Sequence, residues 1–291
     1  MLFANCHNHS TFSDGAHTPE KLVTLAKEEG HRAIILTDHD TVKGSFFAQR
    51  KARELGLLSL LGCEFSTVGF NTGFHLLGID FDPENREMRE LLARVSRKQT
   101  ERSRILFERG IESGRMPRGV TWQDVLDSYP NNDYFCNNQV FETMLKKGLY
   151  ERMDYAKFFM DNFRPKRDEE LEIERITDLH TPNIEEVVRI IRNAGGVPIV
   201  AHPHAKQKYV DDLVSIGVMG FEVRHPDLRN DGESEEFQRI CTERNLYKLG
   251  GTDHYCVLGG YMEVMPWHRL PPEVGYTTEE DFMAIYERRL G

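Results

Sequence analysis

Short apolar runs alternate with amphipathic stretches along the first third of the chain. Leu2-Phe3-Ala4 is followed by Thr18-Pro19, an N-cap and first helical position, and Leu22, Leu25 and Ala26 then recur at helical spacing until Gly30. Ala33-Ile34-Ile35-Leu36-Thr37 is continuous and of strand length, as in a strand buried on both faces, and it ends abruptly in Asp38-His39-Asp40. A helical stretch from about Gly44 to Leu55 precedes a run at 57–61, which enters Gly62-Cys63-Glu64. The run 74–79 is a fourth strand candidate.

From 86 to 180 the alternation stops and only helices are predicted. One is long, through Leu91, Leu92, Val95, Ile105, Leu106 and Phe107, and shorter ones lie near 122–126, 139–147 and 155–162. Alternation resumes with Thr181-Pro182 opening a helix that reaches Ala194. Strand candidates at 197–201, 218–221 and 246–249 end in His202-Pro203-His204, Glu222 and Gly251-Thr252-Asp253-His254. The pattern predicts an α/β fold of seven strand candidates, with residues 1–85 and 181–291 forming the body and 86–180 a helical insertion that contributes to substrate binding.

Composition narrows the class. With 39% hydrophobic and 29% charged residues in 291, the chain suits a soluble globular enzyme. It shows no apolar run near the roughly 18–20 residues of a membrane span and no signal-peptide pattern, so a cytoplasmic, membrane-free protein is expected. Five cysteines without CxxC spacing argue for free thiols. The net charge of −10 disfavours a large nucleic-acid surface, yet residues 86–118 hold ten Lys/Arg against five Asp/Glu. Arg94, Arg97, Lys98 and Arg102 fall at neighbouring helical positions there. With Arg224, two residues after Glu222, they are the candidate phosphate-binding cations.

Metal chemistry enters at the strand ends. His7 and His9, two apart on an extended segment, share a face, and Asp14 follows within a turn, giving N, N and O donors of the kind Zn, Mn or Fe accept. His7/His9, Asp38/His39, Glu64, His202, Glu222 and Asp253/His254 would converge on one mouth, because α/β folds gather functional groups at the carboxyl ends of strands.

These residues spell a pattern. His7-x-His9 with Ser13-Asp14-Gly15, Thr37-Asp38-His39-Asp40, Gly62-x-Glu64, His75, Ala201-His202-Pro203, Glu222 and Gly251-Thr252-Asp253-His254 together resemble the polymerase-and-histidinol-phosphatase (PHP) family, closest to its stand-alone metal-dependent phosphoesterases. The resemblance covers roughly residues 1–82 and 183–260. It implies a distorted seven-stranded (β/α) barrel holding two or three divalent ions of Mn, Fe or Zn. Carried over by position, His7, His9, Glu64 and Asp253 hold one ion, and Glu64, His75 and His202 a second. Asp14, His39 and His254 take the third. Two departures stand out. The family's last motif commonly runs Asp-x-His, whereas His254 directly follows Asp253, and adjacent side chains on an extended segment face opposite ways. Many relatives carry an Arg and a His in the insertion, where this chain has Phe135-Cys136-Asn137-Asn138-Gln139.

The expected reaction is hydrolysis of a small phosphorylated metabolite, either a phosphomonoester such as a nucleotide or sugar phosphate or a compact cyclic phosphodiester. Metal-activated hydroxide attacks in line, and Asp40, His204 or His225 serves as acid–base or orienting group. There is no Gly-x-Ser-x-Gly, Cys-x5-Arg or P-loop motif to supply a covalent route. The alternatives are an exonuclease acting on nucleic-acid ends, a metal-stabilised binding module without catalysis, and amide hydrolysis. Oligomeric state is not readable.

Overall fold

The computed structural model describes residues 3–228, 232–253 and 275–290. In chain order the first elements are β1 (Ala4–Asn5), α1 (Pro19–Glu28), β2 (Ala33–Ile34), α2 (Lys43–Leu55), β3 (Gly62–Gly69) and β4 (Thr72–Ile79). Helices α3 (Arg86–Glu112), α4 (Trp122–Ser128), α5 (Asn137–Lys146), α6 (Tyr155–Asn162) and α7 (Arg167–Thr177) follow without an intervening strand. The chain then returns through α8 (Ile184–Asn193), β5 (Val197–Val200), α9 (Val210–Ser215), β6 (Gly220–Arg224), α10 (Glu233–Glu243), β7 (Tyr247–Gly250) and α11 (Glu279–Tyr286).

Seven strands are present among the described residues, as expected, but they do not close into one barrel. Among the described residues the ladders form a parallel pair, β1-β2, and a separate five-stranded sheet ordered β3-β4-β5-β6-β7, antiparallel at β3/β4 and β4/β5 and parallel beyond. Only isolated bridges and single hydrogen bonds join them: Cys6 N–H donates to Gly250 O at 3.1 Å, and Asn8 bridges Asp253, Ala33 bridges Leu58 and His39 bridges Glu64. The reason is local. After Asn5 and Ile34 the backbone leaves the regular ladder, and the left-handed Asp40 (φ 52°) follows the Thr37-Asp38-His39 run. The expected strand at 57–61 is likewise reduced to one bridge at Leu58. β3 instead begins at Gly62 and turns back into β4 through Phe70-Asn71, both at positive φ (48° and 59°), the two-residue hairpin geometry.

Apolar side chains bury both faces of the five-stranded sheet. Phe65, Leu76 and Phe221 pack with Val187 and Ile191 of α8 and Phe237 of α10, while Leu77, Ile79, Val197, Ile199 and Leu249 pack with Ala4, Ile35 and the α11 residues Phe282 and Ile285. Helices α3 to α7 share their own cluster of Leu106, Phe107, Val125, Phe141, Phe158 and Ile173. Helices α7 and α11 were not foreseen, and α8 is capped by Asn183, which accepts from Glu185 N–H at 2.8 Å, rather than by Thr181. No described helix is long and apolar enough to cross a membrane.

Close approach at the site end rests on a glycine. A Cβ at Gly251 would lie 2.3 Å from His7 Cβ, so any larger residue would push the end of β7 off the first histidine.

His31 is buried, its ring 5.0 Å from that of Tyr276, and burial pushes its pKa down to about 4. The unfolded chain takes up this proton near pH 6.5 while the fold does not, so stability is full above that pH and is lost as pH falls toward 4. His31→Leu is expected to flatten the pH dependence of unfolding free energy between pH 6.5 and 4.5 by about 2–3 kcal/mol. Parallel wild-type and variant profiles from urea titrations would contradict this.

Candidate metal centre

Glu64 lies at the centre of the site, fully buried near the start of β3. Its Oε2 is 3.2 Å from His7 Nε2, 3.1 Å from His9 Nε2 and 3.1 Å from His39 Nδ1; its Oε1 is 3.0 Å from His75 Nδ1 and 3.3 Å from His202 Nε2. Five imidazoles from four different stretches of chain therefore surround one carboxylate. Asp253 Oδ1 closes the set at 3.1 Å from His9 Nε2 and 3.6 Å from His7 Nε2.

The hydrogen-bond network fixes which nitrogens face inward. His7 Nδ1 donates to Glu222 Oε2 at 3.0 Å, and the same oxygen accepts His202 N–H at 2.6 Å. The His7 Nε2 lone pair then points at Glu64 Oε2 and lies 3.2 Å from His9 Nε2. Lone pairs and carboxylate oxygens crowded this closely repel unless a cation or protons stand among them. Glu64 Oε2 is moreover buried and accepts no hydrogen bond. Donor type and this oxygen both fit divalent metal. Four donor groups fall within mutual reach here: His7, His9, Glu64 and Asp253; His7, Glu222 and His225; His9, Asp14 and His39; and His39, Glu64 and His75.

Proton affinities carry the same signature. Burial alone would lower the His7 and His9 values, but Glu222, Glu64 and Asp253 hold His7 well above its usual range, and Asp253, Glu64 and Asp14 raise His9 to about 10. Burial pushes His39 down to about 3. Burial would raise Glu64 as well, yet the imidazoles of His39, His7 and His75 keep it well below the carboxylate range. A cluster this anionic collects protons where a cation would displace them.

The surroundings brace the donors. His225 Nδ1 accepts Asp227 N–H at 3.1 Å, leaving the proton on Nε2, which reaches Asp253 Oδ2 at 3.2 Å and so orients Oδ1 toward His7 and His9. Asp38 accepts Ser10 N–H at 2.7 Å, Ser10 Oγ–H at 2.8 Å and Ser13 Oγ–H at 2.7 Å, tying the His9–Asp14 loop to the end of the second apolar run. The stretch at 135–139 holds this loop as well. Gln139 Nε2 donates to Thr11 O at 3.1 Å and to Ser13 O, and Asn138 Nδ2 donates to Asp14 O.

Not every predicted residue gathers here. His204 is half exposed and turned to Glu233 Oε2 at 2.5 Å. Arg94 pairs with Glu186 at 2.7 Å on the surface, and Arg97 is exposed. Arg224 is paired with Asp281 at 2.8 Å and does not line the mouth. Burial lowers the pKa of Lys98, and the charge of Asp40 opposes that shift. Asp40 accepts Ser66 N–H at 3.1 Å, and burial pushes its carboxyl up to about 6. Arg102 lines the mouth, where Glu170 holds it through two bonds of 2.7 and 2.9 Å. His254 lies outside the described residues.

The mouth is a cavity of about 440 Å³ lined by Asp14, His39, His75, Arg102, Tyr134, Asn137 and Arg164 among others. Arg164, just past α6, is the cation that sequence reasoning missed. The only signal available was its place in Phe163-Arg164-Pro165, a helix stop between α6 and α7.

Fold and donor set define the class: an α/β protein with clusters of side chains able to bind metal at one end of its sheet. The chain belongs to the PHP domain family, whose model matches residues 5–163. It is 28% identical over 268 residues to the 5'-3' exoribonuclease Rnm of Salmonella typhimurium (86% of this chain, 84% of the relative). It is 23% identical over 280 residues to a phosphoribosyl 1,2-cyclic phosphate 1,2-diphosphodiesterase of Eggerthella lenta (89% and 96%). The fold matches the crystal structure of a proposed metal-dependent phosphoesterase from Bifidobacterium adolescentis at a TM-score of 0.79, with 24% identity over 99% of this chain and 96% of that one.

His225→Gln is expected to weaken divalent-metal affinity roughly 10–100-fold in a competitive chelator titration, because Asp253 loses its orienting partner. An unchanged affinity would mean that His225 plays no part in placing Asp253.

Proposed function

We propose that the protein is a metal-dependent phosphoesterase that releases phosphate from a small phosphorylated metabolite. The observation that carries the reading is the buried Glu64 carboxylate with imidazoles at both oxygens, a bridging arrangement suited to more than one divalent ion. His7, His9, Glu64 and Asp253 would hold one ion, Glu64, His75 and His202 a second, and Asp14 and His39 a third. Such ions supply an activated water and neutralise the phosphoryl oxygens.

The chain's own groups do the rest. Arg102 and Arg164, at the rim of the cavity, receive the substrate phosphoryl group, and Arg102 is pre-aimed by its bidentate hold on Glu170. Among the three acid–base candidates, His204 and His225 are engaged with Glu233 and Asp253. Asp40 is the remaining proton donor for the leaving oxygen, placed one residue from His39. The Asp38 network and the Gln139 contacts keep the loop rigid, so that His9 and Asp14 need no reordering on binding.

The Salmonella and Eggerthella relatives are named for an exoribonuclease and for a cyclic phosphate diphosphodiesterase, and both activities hydrolyse a phosphorus–oxygen ester bond. The exoribonuclease relative favours a second reading, cleavage at a nucleic-acid end. Phosphate release from Mn-loaded protein, measured on mononucleotides, sugar phosphates, cyclic phosphates and 5'-phosphorylated oligonucleotides, separates the two. Free phosphate from the small esters supports the first, and mononucleotides released only from oligonucleotides support the second. Inertness toward the whole panel contradicts both.

On a hydrolysed ester, Arg164→Ala is expected to raise KM about tenfold, the loss of one charge-assisted contact, while His9→Ala abolishes turnover. An unchanged KM in Arg164→Ala would place the binding pocket elsewhere.

A further inference from the structure

The mouth beside the metal donors keeps a buried hydroxyl uncommitted. Tyr134 lines that cavity together with Asp14, His39, His75, Arg102 and Arg164, and only 5% of its surface is exposed. Among the described residues no group shares a hydrogen bond with its hydroxyl, yet the oxygen is not sealed from solvent. A hydroxyl in such a place is costly unless water or a ligand meets it. Its chain neighbours in the same lining are spent elsewhere. Asn137 gives both amide protons, to Asn138 Oδ1 and Tyr155 Oη at 2.8 Å each, and the Cys136 thiol turns to Gln139 Oε1 at 3.2 Å.

The flanks of Tyr134 set its position. Before it, Asn132 Nδ2 donates to Thr11 O at 2.9 Å, and Asp133 accepts Thr41 Oγ1–H on Oδ1 at 2.7 Å and Ser96 Oγ–H on its carbonyl. After it, Phe135 N–H donates to Thr100 Oγ1 at 3.1 Å and Cys136 N–H to Gln139 Oε1 at 2.9 Å. Two residues on either side are thus fastened to α3, to α5 and to the loops after β1 and β2, so the side chain is placed at the mouth before anything binds. Burial pushes its pKa well above the usual tyrosine range, and at neutral pH the hydroxyl keeps a proton to offer. Arg102 and Arg164 give the same cavity cationic walls and the donor clusters would add divalent ions, so the occupant it favours is an oxyanion.

We propose that Tyr134 donates a hydrogen bond to a non-bridging oxygen of the phosphoryl group, as a neutral partner to Arg164 in binding the substrate. The inference rests on the phosphoesterase reading of the site and deepens it by adding a contact residue. The proton stays on the phenol oxygen throughout.

The test titrates Mn-loaded full-length protein with inorganic phosphate in a calorimeter, as wild type and as Tyr134→Phe. The substitution keeps the ring and removes the hydroxyl, and because no described group loses a hydrogen-bond partner, the variant is expected to fold as the wild type does. A competitive chelator titration measures Mn affinity in both proteins. The dissociation constant for phosphate is expected to rise about tenfold in Tyr134→Phe with Mn affinity unchanged, the loss of one hydrogen bond to a charged group. For the ester that wild type cleaves best, kcat/KM is expected to fall by a similar factor. Equal phosphate affinity in the two proteins overturns the proposal, as does wild-type protein that binds no phosphate. So does a loss of phosphate affinity that accompanies a loss of Mn affinity, because the hydroxyl would then act through the metal donors and not on the anion. If phosphate binding weakens in the variant with Mn affinity intact while wild type cleaves no ester, the Tyr134 contact stands and the hydrolytic reading fails.

Discussion

A carboxylate removed from water costs several kcal/mol unless charge or hydrogen bonds replace its hydration, and Glu64 is wholly removed from water. Much of the architecture can be understood as the means of meeting that cost. β3 carries Glu64 into the interior, β4 brings His75 to it from the position opposite Ser66, His202 follows two residues after β5, and the irregular segments after β1 and β2 deliver His7, His9 and His39. Partnered only by neutral imidazoles, the cluster would be under-compensated; its tendency to draw protons onto His7 and His9 measures the positive charge it lacks.

This demand also explains why the described strands do not form one continuous ladder. A continuous ladder would keep His7 and His9 on one face but about 6–7 Å apart along the strand. Both side chains must instead meet one carboxylate oxygen from residues two apart while Asp14 folds back beside His9. Regular pairing ends after two residues in β1 and β2, and the lost ladder bonds are replaced by others such as Thr252 and Asp253 N–H to His7 O at 2.9 and 2.8 Å. Gly251 lets those strands come close enough.

Much of this was legible in the sequence, for identifiable reasons. Candidate metal donors are rare residue types, and His7, His9, Glu64, His202 and Asp253 stand where apolar runs end while His75 follows from the family resemblance; in the structure their side chains lie close together around Glu64. Cation placement was not legible. Arg94, Arg97, Lys98 and Arg102 share a helix, but facing Glu186 or Glu170, or solvent, depends on α7 and α8 packing alongside, which periodicity does not reveal. Arg224 read as a pocket cation because it follows Glu222, yet strand alternation could not disclose that α11 brings Asp281 to meet it. The 135–139 stretch looked like a substrate-binding motif stripped of its charges; its amides instead grip the metal-donor loop, a role that needs tertiary contact to be seen.

The central claim is that Glu64 is a shared metal ligand rather than a buried acceptor of imidazolium protons. Anomalous diffraction from crystals grown with Mn tests it most directly. The account predicts strong peaks about 2.0–2.3 Å from Glu64 carboxylate oxygens, with His7 and His9 nitrogens at similar range. Density showing those imidazoles bonded directly to Glu64, with no anomalous peak beside it at saturating metal, would contradict it.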